Sequence, residues 1–96
     1  MSEFQNLLDE AIRECQHEIR LRKSGVVGDA TLWQLKDIVL PELLSLRRIR
    51  REELPPEKDR WLSSFGGAFF DWGWNQQKPS RLFILLASLD EAYKNL

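Results

Sequence analysis

Apolar side chains recur at every third or fourth position along most of this chain, and this spacing restricts the fold more than any other feature. In the first segment the apolar positions are Phe4, Leu7, Leu8, Ala11, Ile12, Cys15 and Ile19. Such spacing places one apolar stripe along one side of an α-helix. No stretch alternates apolar and polar residues over the length of a strand, so we predict no sheet.

Capping signals give the bounds of the first two predicted helices. The first runs from Ser2 to about Lys23, since Ser2 and Gln5 have capping-box spacing. It ends at Ser24-Gly25, because glycine tolerates the left-handed backbone that terminates helices. A second capping box, formed by Thr31 and Gln34, opens the next helix, whose apolar face continues to about Arg51.

A proline lies inside the second predicted helix. Pro41 has no amide hydrogen, and its ring clashes with the preceding turn. Pro41 therefore either kinks this helix or starts a new one at its first position.

Two further helices complete the predicted fold. The third follows the break at Leu54-Pro55-Pro56 and ends at Gly73, and the fourth runs from an N-cap at Ser80 to Leu96. The apolar face of the third helix contains Trp61, Leu62, Phe65, Ala68, Phe69 and Trp72. We therefore predict a single all-α domain over residues 1–96, an irregular antiparallel bundle of four helices.

Composition limits the compartment and the class of partner. The 14 basic and 15 acidic residues give a net charge of −1, so the whole molecule has no attraction to nucleic acid or an anionic membrane. The single cysteine excludes an internal disulfide and indicates a reducing compartment. Neither a secretory signal at Met1 to Asn6 nor an apolar stretch of about 20 residues is present. We expect a cytoplasmic protein that does not enter membranes.

No pattern of catalytic or metal-binding residues is apparent. One histidine and one cysteine cannot supply a structural zinc site, and Cys15 falls on the apolar stripe, where a small core residue is expected. Gly66-Gly67 lacks both the lysine and the strand that precede a phosphate-binding helix. The four carboxylates Asp9, Glu10, Glu14 and Glu18 are spaced as a solvated helix face. We predict no enzymatic activity and no cofactor.

The first distinctive motif is Arg47-Arg48-Ile49-Arg50-Arg51, with four arginines in five positions. Guanidinium groups grip phosphates in bidentate fashion, so the cluster could follow a nucleic-acid backbone. Alternatively, these cations complement the dipole at the end of a helix and are neutralised by Glu52, Glu53 and Glu57.

The second distinctive motif is the segment from Trp61 to Trp74, which has six aromatic residues in fourteen positions. Phe70 and Trp74 lie off the predicted core face of the third helix. If Gly73 adopts the left-handed conformation, Trp74 should pack one ring face on Phe69 and leave the other in solvent. Such a fixed ring would make a good binding anchor.

The carboxy-terminal half, from Leu54-Pro55-Pro56 through Asp71-Trp72-Gly73-Trp74 to Tyr93, resembles small bacterial immunity proteins. This resemblance implies a cytoplasmic protein that binds and blocks a toxin domain. Many immunity proteins are markedly acidic and this chain is not, which argues against inhibition by nucleic-acid mimicry.

These observations favour a non-enzymatic protein-binding module of the immunity or antitoxin type, which occludes its partner. The predicted site is an aromatic anchor of Trp74 and Phe70 beside charged residues, namely Asp71, Arg47, Arg48 and Arg51. One alternative is a small nucleic-acid-associated regulator that uses the arginine cluster. Another is a structural homodimer that buries its aromatic residues against itself.

Overall fold

Helix α1 spans Glu3–Lys23 in the computed structural model, which describes residues 3–96. Ser2, the predicted N-cap, lies outside the described residues. The helix buries six of the seven residues of the predicted apolar stripe, namely Phe4, Leu8, Ala11, Ile12, Cys15 and Ile19, and leaves Leu7 half-buried. Gly25 has a φ of +93°, so the predicted left-handed stop is confirmed.

Helix α2, residues 32–48, continues through Pro41 without a break. It consists of an α-helical start at Leu32–Gln34, a π-helical turn at Leu35–Val39 and an α-helical part at Leu40–Arg48. The predicted capping box is confirmed, because Thr31 and Gln34 exchange side-chain to main-chain hydrogen bonds. The π turn directly precedes Pro41 and is wider than an α turn. We attribute it to the proline ring, which crowds the carbonyl four residues earlier.

The connection after α2 is longer than predicted. Short 3-10 turns occupy Arg51–Glu53 and Glu57–Asp59, whereas we expected a helix from about residue 57. Side chains form hydrogen bonds with main-chain groups in and around this segment. Arg60 donates hydrogen bonds to the carbonyls of Pro55 and Leu96, and the N–H of Leu62 donates to the carboxylate of Asp90.

Helix α3, residues 63–71, is therefore short. Its α-helical part is Ser63–Gly66 and its π-helical part is Gly67–Asp71. The carboxylate of Glu42, on α2, accepts hydrogen bonds of 2.8 and 2.9 Å from the N–H groups of Ser63 and Ser64. A side chain from a neighbouring helix thus caps α3, so no capping residue is required within the segment itself.

Helix α4 spans Arg81–Lys94 and is capped by Ser80, as predicted, through a hydrogen bond from the N–H of Phe83 to Oγ of Ser80. Helix α1 packs against α2 and α4, and α3 packs against α4. The core of this all-α bundle includes Leu35, Val39, Leu43, Leu62, Leu82, Leu86 and Leu89. Within residues 3–96, no helix is both long enough and apolar enough to cross a membrane.

Candidate interaction surfaces

Trp74 is a core residue, so the predicted half-exposed anchor is wrong. Its side chain is only 2% exposed, and Nε1 donates a hydrogen bond of 3.1 Å to Oε1 of Gln34. Its ring meets Phe83 edge-on at 5.7 Å and lies 5.7 Å from Trp72. Gly73 has the predicted left-handed conformation, with a φ of +68°.

The π turn at the end of α3 explains why Trp74 turns inward. In an α-helical ending, the N–H of Trp74 would bond to the carbonyl of Phe69. Here it reaches Ala68 at 3.3 Å, and the N–H of Trp72 reaches Gly67 at 2.7 Å. The extra residue per turn changes the direction in which the chain leaves the helix, and no periodicity in the sequence signals this change.

Phe70 is the most exposed aromatic residue in the described part of the chain. It is 79% exposed, and its ring contacts Phe69 edge-on with a centroid distance of 4.8 Å. Phe69 was predicted to lie in the core but is 40% exposed. Phe65 is half-buried and lies 5.9 Å from Phe69. We call Phe65, Phe69 and Phe70 the phenylalanine patch.

The phenylalanine patch is continuous with the core. The ring of Phe65 lies 6.0 Å from that of buried Phe83, which in turn contacts Trp74. Gln76 donates a hydrogen bond of 2.8 Å to the carbonyl of Phe69 and ties the following loop to α3. Asp71 is exposed directly after Phe70. The patch therefore presents an exposed ring on a packed support.

Two other aromatic residues are exposed without such support. Trp61 was predicted to lie in the core but is 56% exposed, and Trp33, on the first turn of α2, is 60% exposed. Among the described residues, neither ring stacks on another aromatic ring. They are scattered surface residues of the kind that most proteins carry.

The arginine cluster lies apart from the aromatic anchor with which we grouped it. Trp74 contacts Gln34 near the start of α2, whereas Arg47 follows thirteen residues later, roughly 20 Å along the helix axis. The helix ends at Arg48, and Ile49 is extended, so Arg51 lies in the connection. The arrangement in which Arg47 and Arg51 surround Trp74 does not form. Arg47, Arg48 and Arg51 are all exposed.

Three of the arginines line a groove at the end of the bundle away from Trp74. Its volume is about 660 Å³, and α1, α2, the following connection and the end of α4 all contribute to it. Its floor consists of buried and half-buried apolar residues, namely Phe4, Leu8, Leu46, Ile49, Leu54 and Tyr93. Its edge carries the exposed residues Arg47, Arg50 and Arg51. We call this the arginine groove; Arg48 does not line it.

Within residues 3–96, only one arginine of the cluster forms an ion pair with the acidic residues that follow it. Arg50 and Glu53 make an exposed ion pair at 4.0 Å. Arg47 and Arg51 make no ion pair with any residue in the described part of the chain, and the same holds for Glu52. The groove therefore keeps a local excess of positive charge, although the chain as a whole is nearly neutral.

The thiol of Cys15, the one cysteine of the chain, lies in the core. Cys15 is buried, and burial, together with the nearby carboxylate of Glu18, raises the pKa of its thiol to about 12. Its Sγ lies 3.8 Å from the carbonyl of Leu35. A thiol in this environment is a core residue, as predicted, and carries no nucleophilic thiolate at neutral pH. Within residues 3–96, no three His, Cys, Asp or Glu side chains are grouped as metal ligands.

No protein-family model, curated protein or solved structure matches this chain.

Proposed function

We propose that this protein is a non-enzymatic binding module that occludes a partner protein, in the manner of an immunity or antitoxin-like inhibitor. The observation that supports the proposal is the exposure of Phe70, which is 79% exposed although its ring packs against Phe69. An exposed phenylalanine leaves apolar surface in water, so its burial by a partner contributes about 1.5–3 kcal/mol.

The support beneath Phe70 lowers the entropic cost of binding. Immobilising a mobile side chain at an interface costs about 0.5–1.5 kcal/mol. The Phe70 ring is already restrained by Phe69, which is linked through Phe65 to the core. Asp71, exposed beside it, would supply a charge at the edge of the contact, where charges favour correct orientation and rapid association.

The local backbone also favours a binding role. Phe69, Phe70 and Asp71 all belong to the π turn at Gly67–Asp71. π turns cost backbone stability and occur frequently at functional sites. Here the turn accompanies the burial of Trp74 and the exposure of Phe70.

The resemblance to immunity proteins supplies the class of partner. Since the chain is nearly neutral, the proposed inhibitor acts by direct occlusion and does not imitate nucleic acid. We place this action in the cytoplasm, because a single cysteine suits a reducing compartment.

Affinity purification from the native cell tests this proposal. We compare the tagged wild-type protein with Phe70→Ala and with the matched control Trp33→Ala, which removes another exposed aromatic ring. We expect one stoichiometric protein partner, retained by Trp33→Ala and bound at least about tenfold more weakly by Phe70→Ala.

Two results would contradict the proposal. One is equal retention of the partner by Phe70→Ala and wild type. The other is a purified protein that sediments as a dimer of its own chain, which Phe70→Ala converts to a monomer. That second result would favour the structural homodimer.

A further inference from the structure

We infer that the arginine groove binds an acidic, amphipathic segment of a partner protein. The groove is separate from the phenylalanine patch, so this inference does not depend on the function proposed above. It rests on the combination of an apolar floor, a positively charged edge and two arginines, Arg47 and Arg51, that form no ion pair within residues 3–96.

The positive charge of the groove determines which charge its ligand should carry. Arg47, Arg50 and Arg51 contribute three positive charges to the groove, and Asp9 is the only acidic side chain among its described lining residues. Of these three arginines, only Arg50 has a carboxylate within ion-pair distance among the described residues, and that contact is long, at 4.0 Å. The main-chain oxygen of Leu96, at the same end of the bundle, accepts a hydrogen bond from Arg60. The groove therefore favours anionic ligands.

The floor of the groove determines the rest of the ligand's chemistry. Ile49 and Leu54 are only half-buried, and Leu96 is 44% exposed, so apolar surface remains accessible between the arginines. A ligand gains the most binding free energy when it places apolar side chains on this floor and points carboxylates toward the guanidinium groups. An amphipathic peptide does both, because its apolar and charged residues lie on opposite faces.

A nucleic-acid ligand fits these observations less well. A phosphate backbone is hydrated along its length, and laying it on Ile49 and Leu54 would remove water without providing polar contacts. We therefore assign the groove to protein recognition.

Selection from a random 12-residue peptide display library tests the inference. The full-length protein is compared with the double variant R47Q/R51Q, which removes the charge but retains side-chain length. Arg48→Gln is the matched control, since Arg48 is exposed in the same cluster but does not line the groove. Circular dichroism is recorded first, to check that all three proteins are folded.

The expected result is a set of peptides enriched in Asp, Glu and large apolar residues. They should bind R47Q/R51Q at least about fivefold more weakly and Arg48→Gln unchanged, and their binding should weaken with salt. In ¹⁵N spectra they should shift the main-chain amides of Phe4, Ile49 and Leu54.

Each of the other outcomes overturns the inference. These are selected peptides without acidic enrichment, peptides that bind R47Q/R51Q as well as wild type, shifts confined to α3, and no selection above background. Duplex DNA that binds at physiological salt more tightly than any selected peptide, and loses affinity in R47Q/R51Q, would instead assign the groove to nucleic acid.

Discussion

The indole of Trp74 donates a hydrogen bond of 3.1 Å to the side-chain oxygen of Gln34, forty positions earlier in the chain. The same Gln34 oxygen accepts the N–H of Thr31 in the capping box of α2. One side chain thus connects the start of α2 with the segment that leaves α3. This contact helps to hold Trp74 in the core. We therefore assign the proposed binding role to Phe70, which is exposed.

The first prediction concerns the relative stability of two tryptophan variants. Trp74 is buried and Trp72 is half-buried, so Trp74→Ala should destabilise the fold by about 3–5 kcal/mol and Trp72→Ala by less. Trp74→Phe retains a ring but removes the donor to Gln34, and should cost about 1–2 kcal/mol. Urea denaturation of the three variants measures these differences. A larger loss for Trp72→Ala than for Trp74→Ala would contradict the core position of Trp74.

The second prediction uses two adjacent glycines in α3. A Cβ on Gly67 would lie 2.8 Å from the ring of Trp72, whereas a Cβ on Gly66 would meet no atom within 4 Å. Gly67→Ala should therefore destabilise the domain by about 1–3 kcal/mol, because the tryptophan ring must move. Gly66→Ala should be neutral or stabilise it by up to about 1 kcal/mol, through helix propensity.

Thermal unfolding of the two variants, measured side by side, checks this contrast. The substitution is the same in both, so helix propensity alone predicts the same effect. Equal midpoints would show that Gly67 does not lie against Trp72.

The third prediction concerns pH. Burial raises the pKa of the Cys15 thiol from 9.0 to about 12, so the folded state favours the protonated thiol. Its contribution to stability is complete below about pH 9 and is lost as the pH rises toward 12. Between about pH 8 and 10.5 the free energy of unfolding of the wild type should fall by roughly 2 kcal/mol more than that of Cys15→Ala.

The Cys15→Ala comparison isolates the thiol from other groups. Tyr93, whose pKa is raised mainly by burial, is present in both proteins and its effect cancels. Chemical denaturation at the two pH values gives the difference. Parallel losses in the two proteins would mean that Cys15 is not desolvated in the folded state.

The sequence predicted those elements of the fold that local chemistry determines. The apolar stripe of α1, the Thr31–Gln34 capping box, the Ser80 cap and the left-handed Gly73 all follow from rules that act within a few residues. The four-helix, all-α fold follows from the same periodicity.

The positions of the aromatic residues depend on tertiary contacts and were therefore predicted poorly. The third helix begins at Ser63, not near residue 57, because Arg60 and Asp90 bind the preceding main chain and Glu42 caps the helix from α2. The late start and the π ending leave Trp61 and Phe69 in solvent and bury Trp74. Helical periodicity contains no information about either effect.

The arginine groove was missed for a related reason. Its floor joins Phe4, Leu46 and Tyr93, which lie on three helices and come together only when the bundle closes. The sequence signal was Ile49, an apolar residue in the middle of the arginine run, which we interpreted only as part of a helix face.

Photo-cross-linking in the native cell tests most directly whether Phe70 contacts a partner protein. A photoreactive phenylalanine analogue replaces Phe70 in one strain and Trp61, an exposed position without aromatic support, in a second. We expect one cross-linked species from position 70 that joins this chain to a different protein, and none from position 61. No cross-link from position 70, the same species from both positions, or a product of two copies of this 11.3 kDa chain would contradict this contact.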